Sequence, residues 1–265
     1  GLACRVSRCW ISNCIGWVVN SSYNHPLLTT DHIDSEVRLA YTRTFIDRAG
    51  VLMENSVEKQ LVKSRQRVVD HGEVFTPSWL VEDMLKLVQV ESERLESRFL
   101  EPACGSGNFL IQVLEKKLRV ASARYKKSEF EHHRFALLAL MSIYGIELLE
   151  DNVQECRQNL LEIFSLDLKV KVDSSIFRAA VNVLDTNIVH GDALTMLTAR
   201  GEPIMFAEWG YLGKGKYQRR DFHFHVMSQM SKFTEEGTLF ANLGRHEIFT
   251  PVKHYPVMTL EELAQ

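Results

Sequence analysis

The run Phe99-Leu-Glu-Pro-Ala-Cys-Gly-Ser-Gly-Asn-Phe109 constrains the fold more than any other part of the chain. An apolar pair leads into it and a helical pattern, Phe109 to Lys127, leaves it. A strand therefore hands over to a helix through two closely spaced glycines. Glycine lets the backbone turn sharply and approach a ligand with no Cβ in the way. The run is neither the G-x-G-x-x-G phosphate cradle nor a P-loop with its Lys-Ser/Thr.

The residues downstream extend the same pattern. Ile143-Tyr-Gly-Ile-Glu147 reads as a strand ending in an acid, and Ile188-Val189 as one ending at His190-Gly-Asp192. Pro203-Ile-Met-Phe206 reads as a fourth strand and Gly237-Thr-Leu-Phe-Ala241 as a fifth. Helices are expected over Leu80 to Val90, with Thr76 as N-cap and Pro77 in the first turn. Others are expected over Phe135–Met141, Asp151–Phe164 and Ser174–Val183. Strands alternating with helices predict an α/β fold, a mostly parallel sheet with helices on both faces. Amphipathic periodicity from Asp31 to Arg67 predicts an N-terminal helical extension. The expected division is a poorly defined segment 1–30, a helical arm 31–70 and a ligand-binding domain 71–265.

Composition narrows the class. At 45% apolar and 25% charged residues, the chain has the balance of an ordinary soluble globular protein, and a net charge of -3 argues against blanket binding of nucleic acid. No apolar run is long enough to cross a membrane. Cys4, Cys9 and Cys14 fit neither a zinc knuckle nor a redox pair, and His223 and His225 alone make no metal site, so no metal is expected. Cys104 and Cys156 read as reduced, buried thiols, which places the protein in a reducing cytoplasm. Gly1 to Ser22 is apolar but lacks a small-residue cleavage site, so it does not read as a secretory signal.

The chemistry converges on strand ends. An acid directly before the glycine turn, Glu101, suits a cationic ligand, and the methionine end of S-adenosylmethionine (SAM) carries an ammonium. An acid at the place of Glu147 accepts hydrogen bonds from ribose hydroxyls in nucleotide-binding α/β folds. Asp192 suits an adenine exocyclic amine. The interval from Gly107 to Glu147 exceeds the ~20 residues of a dinucleotide fold, which implies a helical insertion near Glu131 to Leu140. Each acid has a plainer reading, a solvated strand end or, for Asp192, the cap of a helix starting near Ala193. The three in order, at strand ends, point to a Rossmann-like SAM-binding crevice. The helix after the glycine turn carries Lys116, Lys117, Arg119, Arg124, Lys126 and Lys127, read first as a solvated face and second as a phosphate-binding one.

Taken together, Gly72-Glu-Val-Phe-Thr-Pro77, the run 99–109, Tyr144-Gly-Ile-Glu147 and Val189-His-Gly-Asp192 resemble the N6-adenine DNA methyltransferases of restriction-modification systems, in their modification-subunit type. The resemblance implies a Rossmann-like SAM-dependent methyltransferase fold acting on DNA. By it, Phe75, Thr76 and Pro77 line the methionine end of SAM. Glu101, Ala103, Gly105, Gly107, Asn108 and Phe109 surround the cofactor, Glu147 holds the ribose and Asp192 the adenine amine. The chain departs from that family at its catalytic motif, Asn/Asp-Pro-Pro-Tyr/Phe, because no Pro-Pro pair occurs. After Phe206 it reads Ala207-Glu-Trp-Gly-Tyr-Leu-Gly-Lys-Gly-Lys-Tyr-Gln-Arg-Arg-Asp221. Three readings stay open there. Glu208 accepts from a substrate amine while Trp209 or Tyr211 stacks on a base; or Lys214, Lys216, Arg219 and Arg220 form a flexible loop on DNA phosphates; or Trp209 packs in the core and the loop is solvated. The remainder is too short for an ordinary target-recognition domain, so a specificity or restriction subunit is an expected partner. A SAM-binding subunit without catalysis is the alternative function, as is transfer to another acceptor.

Overall fold

The computed structural model describes residues 63–71, 73–74, 76–224 and 250–265, with backbone alone at 18–19 and 71. Among the described residues, the order is β1 (Val18–Val19), α1 (Arg65–His71), α2 (Ser78–Leu87), α3 (Gln89–Ser92), β2 (Arg98–Glu101), α4 (Asn108–Tyr125), α5 (Glu129–Met141), β3 (Ile143–Glu147), α6 (Glu150–Leu168), α7 (Ser175–Asn187), β4 (Ile188–Asp192), β5 (Leu197–Thr198), β6 (Met205–Gly213), β7 (Lys216–His223), β8 (Lys253–His254) and α8 (Leu260–Leu263).

One sheet runs β1-β2-β3-β4-β5. Its centre, β2, β3 and β4, is parallel, and short antiparallel strands close both edges. Parallel neighbours need crossovers of a dozen residues or more, which α4–α5 and α6–α7 provide. The result is a mixed α/β fold with helices on both sides of the sheet. β3 is buried along its whole length, as a central strand covered on both faces must be.

Local sequence sets the helix ends. Ser128 starts α5 and Ser174 starts α7, each accepting from a backbone N–H of the first turn. Glu150 and Asp151 complement the positive N-terminus of α6. The insertion expected near Glu131 is α5. By contrast, Thr76 makes no side-chain cap. Pro77 is itself the N-cap of α2, and its carbonyl accepts from the N–H groups of Leu80 and Val81.

Leu110, Val113, Leu114, Leu118 and Ala121 give α4 its buried face. Lys117 lies on that face too, which corrects its assignment to a solvated basic side. It is 0% exposed, and its ammonium donates to the carbonyls of Arg94 (2.8 Å), Leu95 (3.1 Å) and Ser97 (2.5 Å) and to Ser142 Oγ (2.8 Å). Burial pushes its pKa down to about 7.

A second correction concerns the expected fourth strand. Rather than joining the parallel sheet, β6 begins at Met205 and pairs antiparallel with β7, which pairs with β8. Lys214 (φ 51°) and Gly215 (φ 73°) close the β6–β7 hairpin with positive φ at both central positions, the backbone that matches strand twist. Phe206, Trp209, Tyr217 and Phe222 of this sheet share one core with Ile143, Ile146 and Leu184. The expected edge strand at His223 is the end of β7, while His225, strand 237–241 and the arm before residue 63 lie outside the described residues.

Candidate functional site

The carboxyl ends of β2, β3 and β4 carry the residues of interest. In open α/β sheets, this is the edge where ligands bind. β2 ends at Glu101, and the chain turns through Cys104 to Gly107 before α4 begins. Gly105 (φ 53°) and Gly107 (φ 94°) adopt left-handed backbone. A Cβ on Gly107 would lie 2.8 Å from Cys156 Sγ, so the turn closes against α6 only because that atom is missing. α6 holds it there through Asn159, whose amide donates to the Ser106 carbonyl at 3.0 Å.

Glu147 closes β3 and clasps this turn. One carboxylate oxygen accepts from the Gly105 N–H at 2.8 Å, the other from the Leu149 N–H at 3.0 Å and from the Asn152 amide at 3.5 Å. Beside it, Glu101 is buried and its Oε2 has no hydrogen-bond partner. Burial, reinforced by the negative charge of Glu147, pushes the Glu101 carboxyl up to about 8. An uncompensated acid in this position is costly unless a cation joins it. Below the turn, the thiols of Cys104 and Cys156 are free and buried, and their mutual hydrogen bond raises the Cys104 pKa further than burial alone.

The other expected contributors fall around the same edge. Ala103 is exposed, and Gly105, Asn108 and Phe109 are half-buried, with the Phe109 ring 6.4 Å from Phe99. Asp192 ends β4, two residues past His190, which pairs with Glu147. Its Oδ1 accepts from the Leu194 N–H at 2.8 Å, and residues 193–196 are a turn rather than the start of a helix. Thr76 and Pro77 are half-buried, and the next carbonyl, that of Ser78, accepts from Gln112 on α4 at 3.5 Å. Phe75 lies outside the described residues.

An ion network that the motifs did not signal stands next to Glu147. Arg67 of α1 grips Glu73 with two hydrogen bonds (2.6 and 2.8 Å) and Asp151 with two more (2.8 and 3.1 Å). Its guanidinium holds both carboxyls below their usual range. Asn152 donates to Glu73 at 2.6 Å and to Glu147 at 3.5 Å. Glu73 stands inside the run 72–77 and Asp151 opens an expected helix, but neither was expected to pair with Arg67.

The three candidates for catalysis lie elsewhere. Glu208 pairs with Arg98 (2.7 Å) and with Arg220. Arg98 opens β2, whereas Glu101 closes it. The buried Trp209 indole donates to Asn187 Oδ1 at 2.9 Å, and the Asn187 amide reaches the carbonyls of Met141 and Ile143, at the start of β3. Tyr211 packs edge-on to Phe135 and against Tyr217. The hairpin thus meets the parallel sheet at its amino ends, and Glu208, Trp209 and Tyr211 are not brought to the glycine turn. The basic stretch is likewise hairpin turn and strand instead of a flexible loop. Lys214, Lys216 and Arg220 are exposed, while Arg219 is held by both oxygens of Asp221.

Residues 80–198 match the family model described as MmeI, DNA-methyltransferase domain. Over that segment the chain is similar to a restriction-modification DNA methyltransferase family. The match runs from α2 to β5, including the glycine turn, Glu147 and Asp192, and stops before β6. No curated protein and no solved structure matches the chain. Among the described residues, no helix is long and apolar enough to cross a membrane, and no group of three or more His, Cys, Asp or Glu is placed to hold a metal ion.

Proposed function

We propose that the chain is a SAM-dependent DNA methyltransferase of a restriction-modification system, with a Rossmann-like crevice and adenine N6 as acceptor. Glu101 carries the reading. A buried carboxylate with an unpartnered oxygen behind a glycine turn lacks a cation, and the ammonium of SAM is one. Glu147 holds the ribose, Asp192 the adenine amine, and Thr76 and Pro77 the methionine end, with Ala103, Gly105, Gly107, Asn108 and Phe109 around them. Phe75 joins Thr76 and Pro77 by resemblance alone. Bound SAM supplies an activated methyl group, so the chain's own task is to orient and to exclude water rather than to supply a strong base.

Glu147→Ala is expected to weaken SAM binding by roughly a hundredfold, because it removes charge-assisted hydrogen bonds to the ligand and the clasp on Gly105 together. Calorimetric titration measures it, and an unchanged affinity removes Glu147 from the site. On the DNA side, Lys214→Ala with Lys216→Ala is expected to lower affinity and to reduce the salt slope by about two. Gel shifts over a salt series measure this. A parent chain that fails to shift DNA at low salt would end the idea that the hairpin binds phosphates.

A second reading is favoured by the placement of Glu208 and Trp209, which are engaged with Arg98, Arg220 and Asn187. Under it the chain binds SAM without transferring the methyl group, as a subunit of a larger complex. Labelled methyl transfer from SAM to unmethylated DNA separates the two. Label on adenine N6 supports the first, and bound SAM without transfer supports the second. Absence of SAM binding overturns both.

A further inference from the structure

Described residues on either side of the α1–α2 connection are anchored to the helices that follow β3 and β2. At one end, Arg67 and Glu73 are tied to Asp151 and Asn152 in the first turn of α6, just after β3. At the other end, the Ser78 carbonyl accepts from Gln112 in α4, just after the glycine turn. Thr76 and Pro77 lie between these two anchorages along the chain. The α6 anchorage is well made for a surface element. The Glu73 side chain is 7% exposed and Asn152 is 1% exposed. The Asn152 amide nitrogen touches two carboxylates at once, Glu73 from the strap and Glu147 from the sheet, while its Oδ1 accepts from Lys63 at 2.6 Å and lies 3.4 Å from an Arg67 guanidinium nitrogen.

We propose that Arg67, Glu73 and Asn152 are positioning residues that lock the strap at Thr76–Pro77 to the Glu147 carboxylate, so that the roof and the ribose-facing acid of the SAM crevice are set as one unit. This rests on the SAM-binding reading above. Asn152 fixes the rotamer of Glu147 from below, through the oxygen that also accepts from Leu149. Arg67 neutralises Glu73 and Asp151, which would otherwise add two negative charges next to Glu147. The device acts only through the groups it orients, so its removal weakens binding without removing any ligand contact.

The test uses the full chain with Asn152→Ala, Glu73→Gln and the double variant, with Ser174→Ala as a control that loses a helix cap at α7. Calorimetric titration with SAM and hydrogen exchange at the Gly105 amide are measured alongside thermal unfolding. Each single variant is expected to raise the SAM Kd about tenfold, with faster Gly105 exchange. The double variant is expected to be little worse than either single, because residues of one chain of contacts do not add independently. Ser174→Ala is expected to lower the Tm by a comparable amount with the Kd unchanged. Single variants that bind SAM like the parent, or a control whose Kd rises in step with its loss of Tm, would overturn the positioning role while leaving the SAM site standing. A parent chain that does not bind SAM overturns the SAM site, and this inference with it.

Discussion

Glu101→Gln will bind SAM roughly a hundredfold more weakly than the parent chain while its ligand-free fold becomes the more stable of the two at pH 8. The two effects share one cause. The buried Glu101 carboxyl titrates at about 8 in the fold, against about 4.3 in an unfolded chain. A folded-state pKa raised in this way contributes stability that is complete below about pH 4.3 and disappears as pH rises through about 8. Across that window the folded state holds a proton that the unfolded state has released, so the parent's stability declines with pH. Glutamine keeps the shape and carries no charge at any pH. The difference at pH 8 is about 2 to 5 kcal/mol, and denaturant midpoints from pH 5 to pH 8.5 measure it. Parallel pH profiles for parent and variant would mean that Glu101 is solvated or already paired. Profiles that diverge as expected, together with the loss of SAM binding, would make Glu101 an instance of function held at the expense of stability.

Lys117→Met is expected to destabilise the fold by about 3 to 5 kcal/mol, with no direct effect on any ligand contact. Methionine fills the volume but leaves the carbonyls of Arg94, Leu95 and Ser97 facing an apolar side chain. Ser142 loses the same donor, although its hydroxyl still reaches the Ala139 carbonyl. Those groups belong to the loop before β2 and the residue before β3, so the ammonium ties the amino ends of two parallel strands to the helix that starts at the glycine turn. Urea denaturation measures the effect. An unchanged or raised midpoint would show that the penalty for burying the charge cancels the hydrogen bonds its three N–H groups share among these four acceptors.

Much of the parallel half of the molecule was legible from residues. The strand–turn–helix at 99–109, the acids Glu147 and Asp192 at strand ends, and the helical insertion before β3 all follow from short-range pattern. Lys117 was half legible. Its spacing from Leu114 and Ala121 puts it on the buried stripe of α4, but only the fold supplies the carbonyls that let a lysine stay there. The hairpin at β6–β7 was obscured by its own charges. Lys214-Gly215 is turn chemistry between two strands, yet four basic residues in a short stretch suggest a nucleic-acid loop instead. Charge reports affinity for solvent or phosphate, whereas sheet membership depends on cross-strand partners distant in sequence. The Arg67–Glu73–Asn152 network was hidden for the same reason, since Asn152 lies more than seventy residues from both Arg67 and Glu73.

The sulfurs of Cys104 and Cys156 give the molecule a built-in gauge of its own breathing. Each thiol is almost without contact to solvent, so a thiol reagent reacts only during an excursion that separates the glycine turn from α6. Both sulfurs also sit 2.8 Å from where a side-chain carbon would stand on a glycine, Cys104 facing Gly145 and Cys156 facing Gly107. A labelled sulfur therefore has no space to return to. Each labelling event traps one opening, and where the reagent outpaces reclosing the labelling rate counts how often the glycine turn and α6 come apart.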